Sequence, residues 1–239
     1  MMLLEEMTWK EIESGLGTTR TVILPVGATE EHGPHLPVFT DTLQAMEVAK
    51  EVSRRKAIFV APSINYGVCR STRDFPGTVS ISSEALRKLT YDLVIGFHES
   101  GFHNILILTG HAGSQHLAAL KEAAEAVVED IDVRVSVVSD FHLIKKDELE
   151  TFNDGHAGEI ETSRMLVLRE DLVKGSPEKH FPKRAKYLIM RDVRHLMGNG
   201  IMGDPTKASK EKGLKFMEMA VQGVLDALNE LENYPHTIS

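Results

Sequence analysis

The sequence predicts a layered α/β fold with a mostly parallel central sheet. Four short runs rich in β-branched and apolar residues stand out: Thr21–Val26, Ala57–Ala61, Asn104–Thr109 and Val133–Ser139. Three of them are near-continuously apolar, which suits strands covered by helices on both faces. Between the runs lie segments with helical spacing, and strand alternating with helix is the pattern of a parallel sheet. The 239 residues are enough for one sizeable core, so residues 1–239 read as a single domain.

In chain order, Pro25 forfeits a ladder hydrogen bond, so the first strand is expected to end or bulge there. Thr42–Arg55 places Leu43, Met46, Val48 and Val52 on a broad apolar stripe. Ser83–Ser100 does the same with Leu86, Leu89, Leu93 and Phe97, and Ser82 or Ser83 is a plausible cap before Glu84. Leu117–Asp130 is rich in Ala, Leu and Glu. After Asp140 the pattern weakens, but a helix from Gly158 to about Arg169 and another from Lys207 to about Leu231 are expected. The segment 174–204 between them is rich in Gly and Pro and reads as an active-site flap or subunit contact.

Composition excludes several classes. The net charge is −8, from 27 Lys and Arg against 35 Asp and Glu, and no basic face is visible for nucleic acid. Cys69 is the single cysteine, which rules out an intrachain disulfide and suits a reducing cytoplasmic setting. A lowered-pKa thiol beside Arg70 and Arg73 is the rarer reading of Cys69, a small buried filler the commoner. Glu5 and Glu6 stand where a signal peptide wants bases, and no apolar run approaches the roughly 20 residues of a membrane span.

Ligands bind at the carboxyl ends of strands in parallel sheets, and here those ends carry the unusual residues. The first run leads into Gly27-Ala-Thr-Glu30-Glu-His32-Gly-Pro-His-Leu-Pro37 and then Asp41, and the third into Gly110-His111-Ala-Gly113. Glu30 and His32 alternate so as to share one side of an extended segment, while Asp41 opens the next helix. Two carboxylates and two imidazoles are the donors that a divalent cation needs. Taken singly each is more often solvated or capping; together at adjacent strand ends they favour a metal site. Asp154-Gly-His156-Ala-Gly-Glu159-Ile-Glu161 forms a second constellation. There His156 suits proton transfer, Glu159 is read as a first-turn partner of the helix dipole, and the plain reading of Glu161 is an ion pair with Arg164.

These residues resemble the creatininase, or creatinine amidohydrolase, family. Leu24 to Asp41 is similar to its first motif, Thr109-Gly-His111-Ala-Gly113 to its second, and His156-Ala-Gly-Glu-Ile-Glu161-Thr-Ser163 to its third. Phe75-Pro-Gly-Thr78 and Gly203-Asp-Pro205 are lesser matches. The resemblance implies a three-layer α/β/α fold, one or two divalent ions (Zn, Fe(II) or Mn) and a homo-oligomer, often a hexamer. It places Glu30, Asp41 and His111 on one ion, His32 and Asp41 on the other, and His156 as the catalytic histidine. Creatininases proper carry a carboxylate where this chain has Gly113, and tryptophans over the substrate ring; the one tryptophan here is Trp9. Members with that glycine take the third-motif glutamate, Glu161, as the replacement ligand. Among them the chain looks most like the archaeal formamide hydrolase, or deformylase, of riboflavin and deazaflavin biosynthesis; a mycofactocin-type peptidase, or a hydrolase of creatinine or another cyclic amide, is the alternative. Arg70, Arg73, Lys183 and Arg184 are candidate partners for a substrate phosphate, and Gly113 and Ser114 for the substrate body. An ion-activated water would attack the amide, and a serine nucleophile, Ser114 or Ser163, is the weaker enzyme reading. An inactive scaffold ring is the non-enzyme alternative.

Overall fold

A computed structural model of the chain describes residues 1–183, 187–191 and 193–234. Five strands, β1 (Met2–Leu3), β2 (Thr21–Val26), β3 (Phe59–Val60), β4 (Asn104–Thr109) and β5 (Arg134–Ser139), lie in the order β1-β3-β2-β4-β5. Every pair of neighbours is parallel. The helices are α1 (Trp9–Leu16), α2 (Thr40–Arg55), α3 (Ser83–Glu99), α4 (Ser114–Asp130), α5 (Glu159–Leu168), the short α6 (Arg194–Met197) and α7 (Lys210–Asn233). Among the described residues no helix is long and apolar enough to cross a membrane.

Alternation along the strands explains their unbroken apolarity. Val22, Leu24, Ile105 and Ile107 turn to one face and pack with Leu86 and Val94 of α3 and Leu120 and Val127 of α4. Ile23, Leu106 and Leu108 turn to the other, against Val48 and Val52 of α2 and Val221, Val224 and Leu228 of α7. Two separate cores, one on each face, make the three layers, and each fully buried aliphatic side chain contributes roughly 1.5–3 kcal/mol.

Pro25 neither ends nor bulges β2, which runs on to Val26 in register with Thr109. Its carbonyl accepts from Ile64 N at 3.0 Å, so its nitrogen faces the same flank, where β3 has already stopped at Val60. The proline therefore removes no bond from the β4 side, where Val26 O accepts from Gly110 N at 2.9 Å. The second run is shorter than expected, since only Phe59 and Val60 pair. Ser82 is the cap of α3, its side chain accepting from Ala85 N. At the N-terminus, β1 joins the sheet edge, and α1 opens on a capping box between Thr8 and Glu11.

The helix that carries the third motif is tied down from beneath. Arg164 of α5, 1% exposed, donates from Nη2 to Asp140 Oδ2 at 2.6 Å, just past the end of β5. Glu161 and Arg164 thus do not pair, contrary to the i,i+3 expectation: one points to the strand ends and the other under the helix. Replacing Arg164 with Met strands the Asp140 charge in the interior and should cost about 3–5 kcal/mol. Urea unfolding of the metal-free protein measures it, and adding Asp140→Leu should restore most of the loss.

Candidate metal centre

The carboxyl ends of β2 and β4, the start of α2 and the first turn of α5 meet at one point. Asp41 is delivered by the N-terminus of α2, which lies so close to β4 that a Cβ on Gly110 would sit 2.1 Å from the Asp41 carbonyl oxygen. Its Oδ1 lies 2.9 Å from His32 Nε2 and its Oδ2 3.1 Å from His111 Nδ1, so one carboxylate spans two imidazoles. Glu30 Oε2 lies 2.9 Å from His111 Nδ1, and Glu161 Oε2 3.7 Å from His32 Nε2. All five side chains are buried, from His32 at 0% to His111 at 7%.

Backbone carbonyls dictate which nitrogen each histidine offers. His32 Nδ1 donates to Glu30 O at 3.0 Å, leaving Nε2 toward Asp41 and Glu161. His111 Nε2 donates to Val68 O at 3.1 Å, leaving Nδ1 toward Glu30 and Asp41. Glu30 Oε2 and Asp41 Oδ2 are buried with no hydrogen bond aligned on them. Two carboxylate–imidazole sets sharing Asp41, with unsatisfied oxygens turned inward, fit divalent cations well. His32, Asp41 and Glu161 offer one set of mutually close ligand atoms, Glu30 groups with His32 and His156 and with Cys69 and His111, and His111 Nδ1 lies within 3.1 Å of both Glu30 and Asp41. A third oxygen contact, the Thr72 hydroxyl donating to Glu30 Oε1, fixes that carboxylate.

Without a cation, the charges compensate one another. Burial would lower His32, but the Asp41 and Glu161 carboxylates outweigh it and hold the ring up at about 10. His111 is likewise raised, against burial, by Glu30 and Asp41. Burial would raise Glu30, yet the charges of His111 and His156 bring it down to about 2. Asp41 is lowered against burial by His32 and His111. Glu161 is raised, chiefly by burial.

His156 sits beside this cluster, its ring centroid 4.4 Å from that of His32. Its Nε2 donates to the Glu31 carbonyl at 2.8 Å, which leaves Nδ1 for proton transfer. The residue is held by an antiparallel bridge to Met202 and by Ala157, whose φ of 49° is left-handed. Asp154 pins the same turn: its oxygens accept from Glu159 N at 2.7 Å and Ile160 N at 2.9 Å. Asp154 and Thr72 are positioning groups not assigned from the sequence, because neither stands at a ligand spacing. Glu159, expected only to face the helix dipole, accepts from Lys212 Nζ at 2.8 Å and from Thr151 N at 2.8 Å.

A cavity of about 490 Å³ opens over the cluster, with Arg70, Gly113, Ser114 and His156 in its wall. Leu188, Ile189, Met190 and Met202 of the irregular segments also line it. Arg70 Nη2 donates to Met190 O at 2.8 Å. Arg73 does not reach the cavity: it is exposed, with Nη2 on Arg191 O at 2.9 Å and Nε 3.7 Å from Asp74. Lys183 is exposed, Arg184 lies outside the described residues, and Trp9 is 67% exposed away from the cavity wall. Cys69 is buried and its thiol is pushed up by burial, then by Glu30 and Asp41, the reverse of a lowered-pKa thiol. Ser163 accepts from Ser209 N at 3.2 Å and is committed to backbone.

Cation-dependent chemistry at the carboxyl edge of a parallel sheet is the class that this arrangement defines. Within that class the chain belongs to the creatininase family: the family described as creatinine amidohydrolase matches residues 5–228. It is 30% identical to the creatinine amidohydrolase of Pseudomonas putida, over 94% of this chain and 95% of that protein. A mycofactocin precursor peptide peptidase of Mycolicibacterium smegmatis is 34% identical, over 90% of both. A 3-dehydro-scyllo-inosose hydrolase of Thermotoga maritima is 29% identical, over 95% of this chain and 81% of that one. Among solved structures, a manganese form of creatininase matches with a TM-score of 0.83 at 28% identity, over 98% of this chain and 99% of that one. A creatininase variant of Zn–Zn type matches at 0.84 and 28%, over 98% of both. The chain is thus a metal-dependent hydrolase of the creatininase family.

Because His32 and His111 hold protons that a cation must displace, metal binding should release protons. Below the raised folded values the rings are charged, so affinity should rise with pH, about tenfold per unit for each proton released. Calorimetric titration of the metal-free protein with Zn(II) in buffers of different ionisation enthalpy counts those protons. Equal heats in every buffer would contradict it.

Proposed function

We propose that the chain hydrolyses a small non-peptide amide, a formamide by preference, at a two-cation centre formed by Glu30, Asp41 and His111 on one side and His32, Asp41 and Glu161 on the other. The observation that supports it most is Asp41 itself, whose two oxygens face imidazoles offered by different strand ends. Bound there, divalent cations supply a nucleophile from water near neutral pH and draw electron density from a carbonyl oxygen. The protein's own part is to hold five ligand groups rigidly, shield the site from bulk solvent and move one proton. His156 Nδ1 is the atom for that last task, since Nε2 is occupied by the Glu31 carbonyl. The leaving nitrogen takes the proton and the carbonyl carbon keeps the water oxygen, so no residue becomes covalently attached.

Substrate choice rests on the walls. Leu188, Ile189 and Met190 make part of the cavity wall apolar, and Trp9, the one tryptophan, is not in it, which speaks against creatinine. A carboxylate-bearing residue at position 113 would also collide with the His111 ring, because a Cβ there already lies 2.6 Å from His111 Nε2. Arg70 provides a cation in the wall for an anionic substituent. A formylaminopyrimidine ribotide, as in riboflavin and deazaflavin biosynthesis, combines a formamide with such a group. Short-peptide cleavage is the second reading, favoured by the 34% identity to the mycofactocin peptidase. The same family likeness leads us to expect a homo-oligomer, which light scattering would measure.

Formate and amine release should be followed over a panel of formamides, cyclic amides and short peptides, with Fe(II), Zn or Mn under anaerobic conditions. Turnover of formamides is the expected result; turnover confined to peptides would exclude the preference stated here. His156→Gln should lower kcat by about 10²–10⁴ while metal content stays the same. An unaltered rate in that variant would remove His156 from the proton path.

A further inference from the structure

We propose that His116 is a positioning residue for the metal centre: through the backbone of Val68 it determines which ring nitrogen His111 presents to a cation. The inference rests on the two-cation reading and adds to it a residue that neither contacts the ligand oxygens nor belongs to the three motifs' donor set.

His116 is the third residue of α4 and is wholly buried. A neutral imidazole in an apolar interior is unfavourable unless both nitrogens are bonded, and here both are. Its Nδ1 accepts from Val68 N at 3.3 Å, so that nitrogen carries no proton and the ring is neutral. Its Nε2 therefore bears the proton and donates to Thr109 Oγ1 at 3.1 Å. The Thr109 hydroxyl in turn donates to the His111 carbonyl at 3.0 Å and accepts from His111 N at 3.1 Å. One ring thus holds the end of β4, the backbone of the metal-facing histidine and the Val68 peptide together.

The backbone of Val68 is the point of control. Its N–H, in the 67–68 peptide, is taken by His116, and its carbonyl, in the 68–69 peptide, by His111 Nε2, 3.1 Å away, so the residue is clamped at both ends by two imidazoles whose rings meet edge to face at 4.8 Å. If the N–H is released and the residue turns about its φ and ψ, His111 loses the acceptor that keeps its proton on Nε2. The other tautomer would aim an N–H at Glu30 and Asp41, where a cation needs a lone pair. Close approach is built into the backbone as well, because a Cβ on Gly67 would stand 2.7 Å from His116 Nδ1. A hydrophobic residue of similar volume could fill the space but could not hold the peptide.

Three substitutions separate clamping from packing. His116→Asn places an amide oxygen near the Nδ1 position and keeps the acceptor for Val68. His116→Gln reaches the Nε2 position and keeps the donor for Thr109, and His116→Met keeps only the volume. Metal-free protein is dialysed against Zn(II), and the Co(II)-loaded form is inspected by NMR for the exchangeable, hyperfine-shifted N–H of His111. The proposal expects two ions in the wild type and in His116→Asn. In His116→Gln and His116→Met it expects affinity for one of the two ions to fall about 10- to 100-fold, with the His111 N–H signal lost. Circular dichroism and melting of the metal-free variants report whether the fold is intact. Equal binding by all four proteins, or an equal loss in all three variants, overturns the clamp. A folded wild type that takes up no ion overturns the metal reading along with it.

Discussion

The structure is organised around one buried carboxylate, that of Asp41. A lone charge in an apolar interior is among the most unfavourable things a fold can contain, and Asp41 is 2% exposed. It is tolerated because the start of α2 surrounds it with favourable dipole, and because His32 and His111 approach from two separate strand ends. The closeness of α2 to the sheet and the carbonyl partners that orient both rings help to compensate that charge, whereas Glu30 and Glu161 add to the negative charge that the two imidazoles must balance. A divalent cation bound there would offset the excess of carboxylate that the protonated histidines balance only in part.

The two halves of the site are supported differently. Glu30, His32 and His111 issue from β2 and β4, which are central strands locked by a full ladder and covered on both faces. Glu161 and His156 come from α5 and the turn before it, anchored by Asp154 above and by the Arg164–Asp140 pair below.

Much of this was legible in the residues themselves. Three of the four apolar runs match strands nearly to the residue, since Val, Ile and Leu in unbroken series have no other home in a covered sheet. The motif residues at the ends of β2 and β4 do converge, because parallel strands bring their carboxyl ends to one edge. The features without a local signal depend on long-range partners. The two-residue β1 is too short to show a period, and the 3.6-residue pattern of α1 is carried only by Ile12 and Leu16. Pro25 was expected to interrupt its strand, but the neighbour on its nitrogen side ends before it matters. Arg164 and Glu161 share a helical turn yet answer to Asp140 and His32, partners that no local spacing reveals. Thr72 and His116 act through atoms contributed by distant segments, so nothing in their own neighbourhood marks them.

One further consequence attaches to α5. The same ten-residue helix carries Glu161, a candidate ligand, in its first turn and Arg164 of the interior ion pair, so occupancy of the centre would be thermodynamically linked to the integrity of the fold. A cation that binds only the folded chain stabilises it by an amount set by the ratio of its free concentration to its dissociation constant. Chains starved of metal would open more often and present cleavable backbone to proteases, so the lifetime of the protein in a cell would follow the supply of the ion without any dedicated sensor.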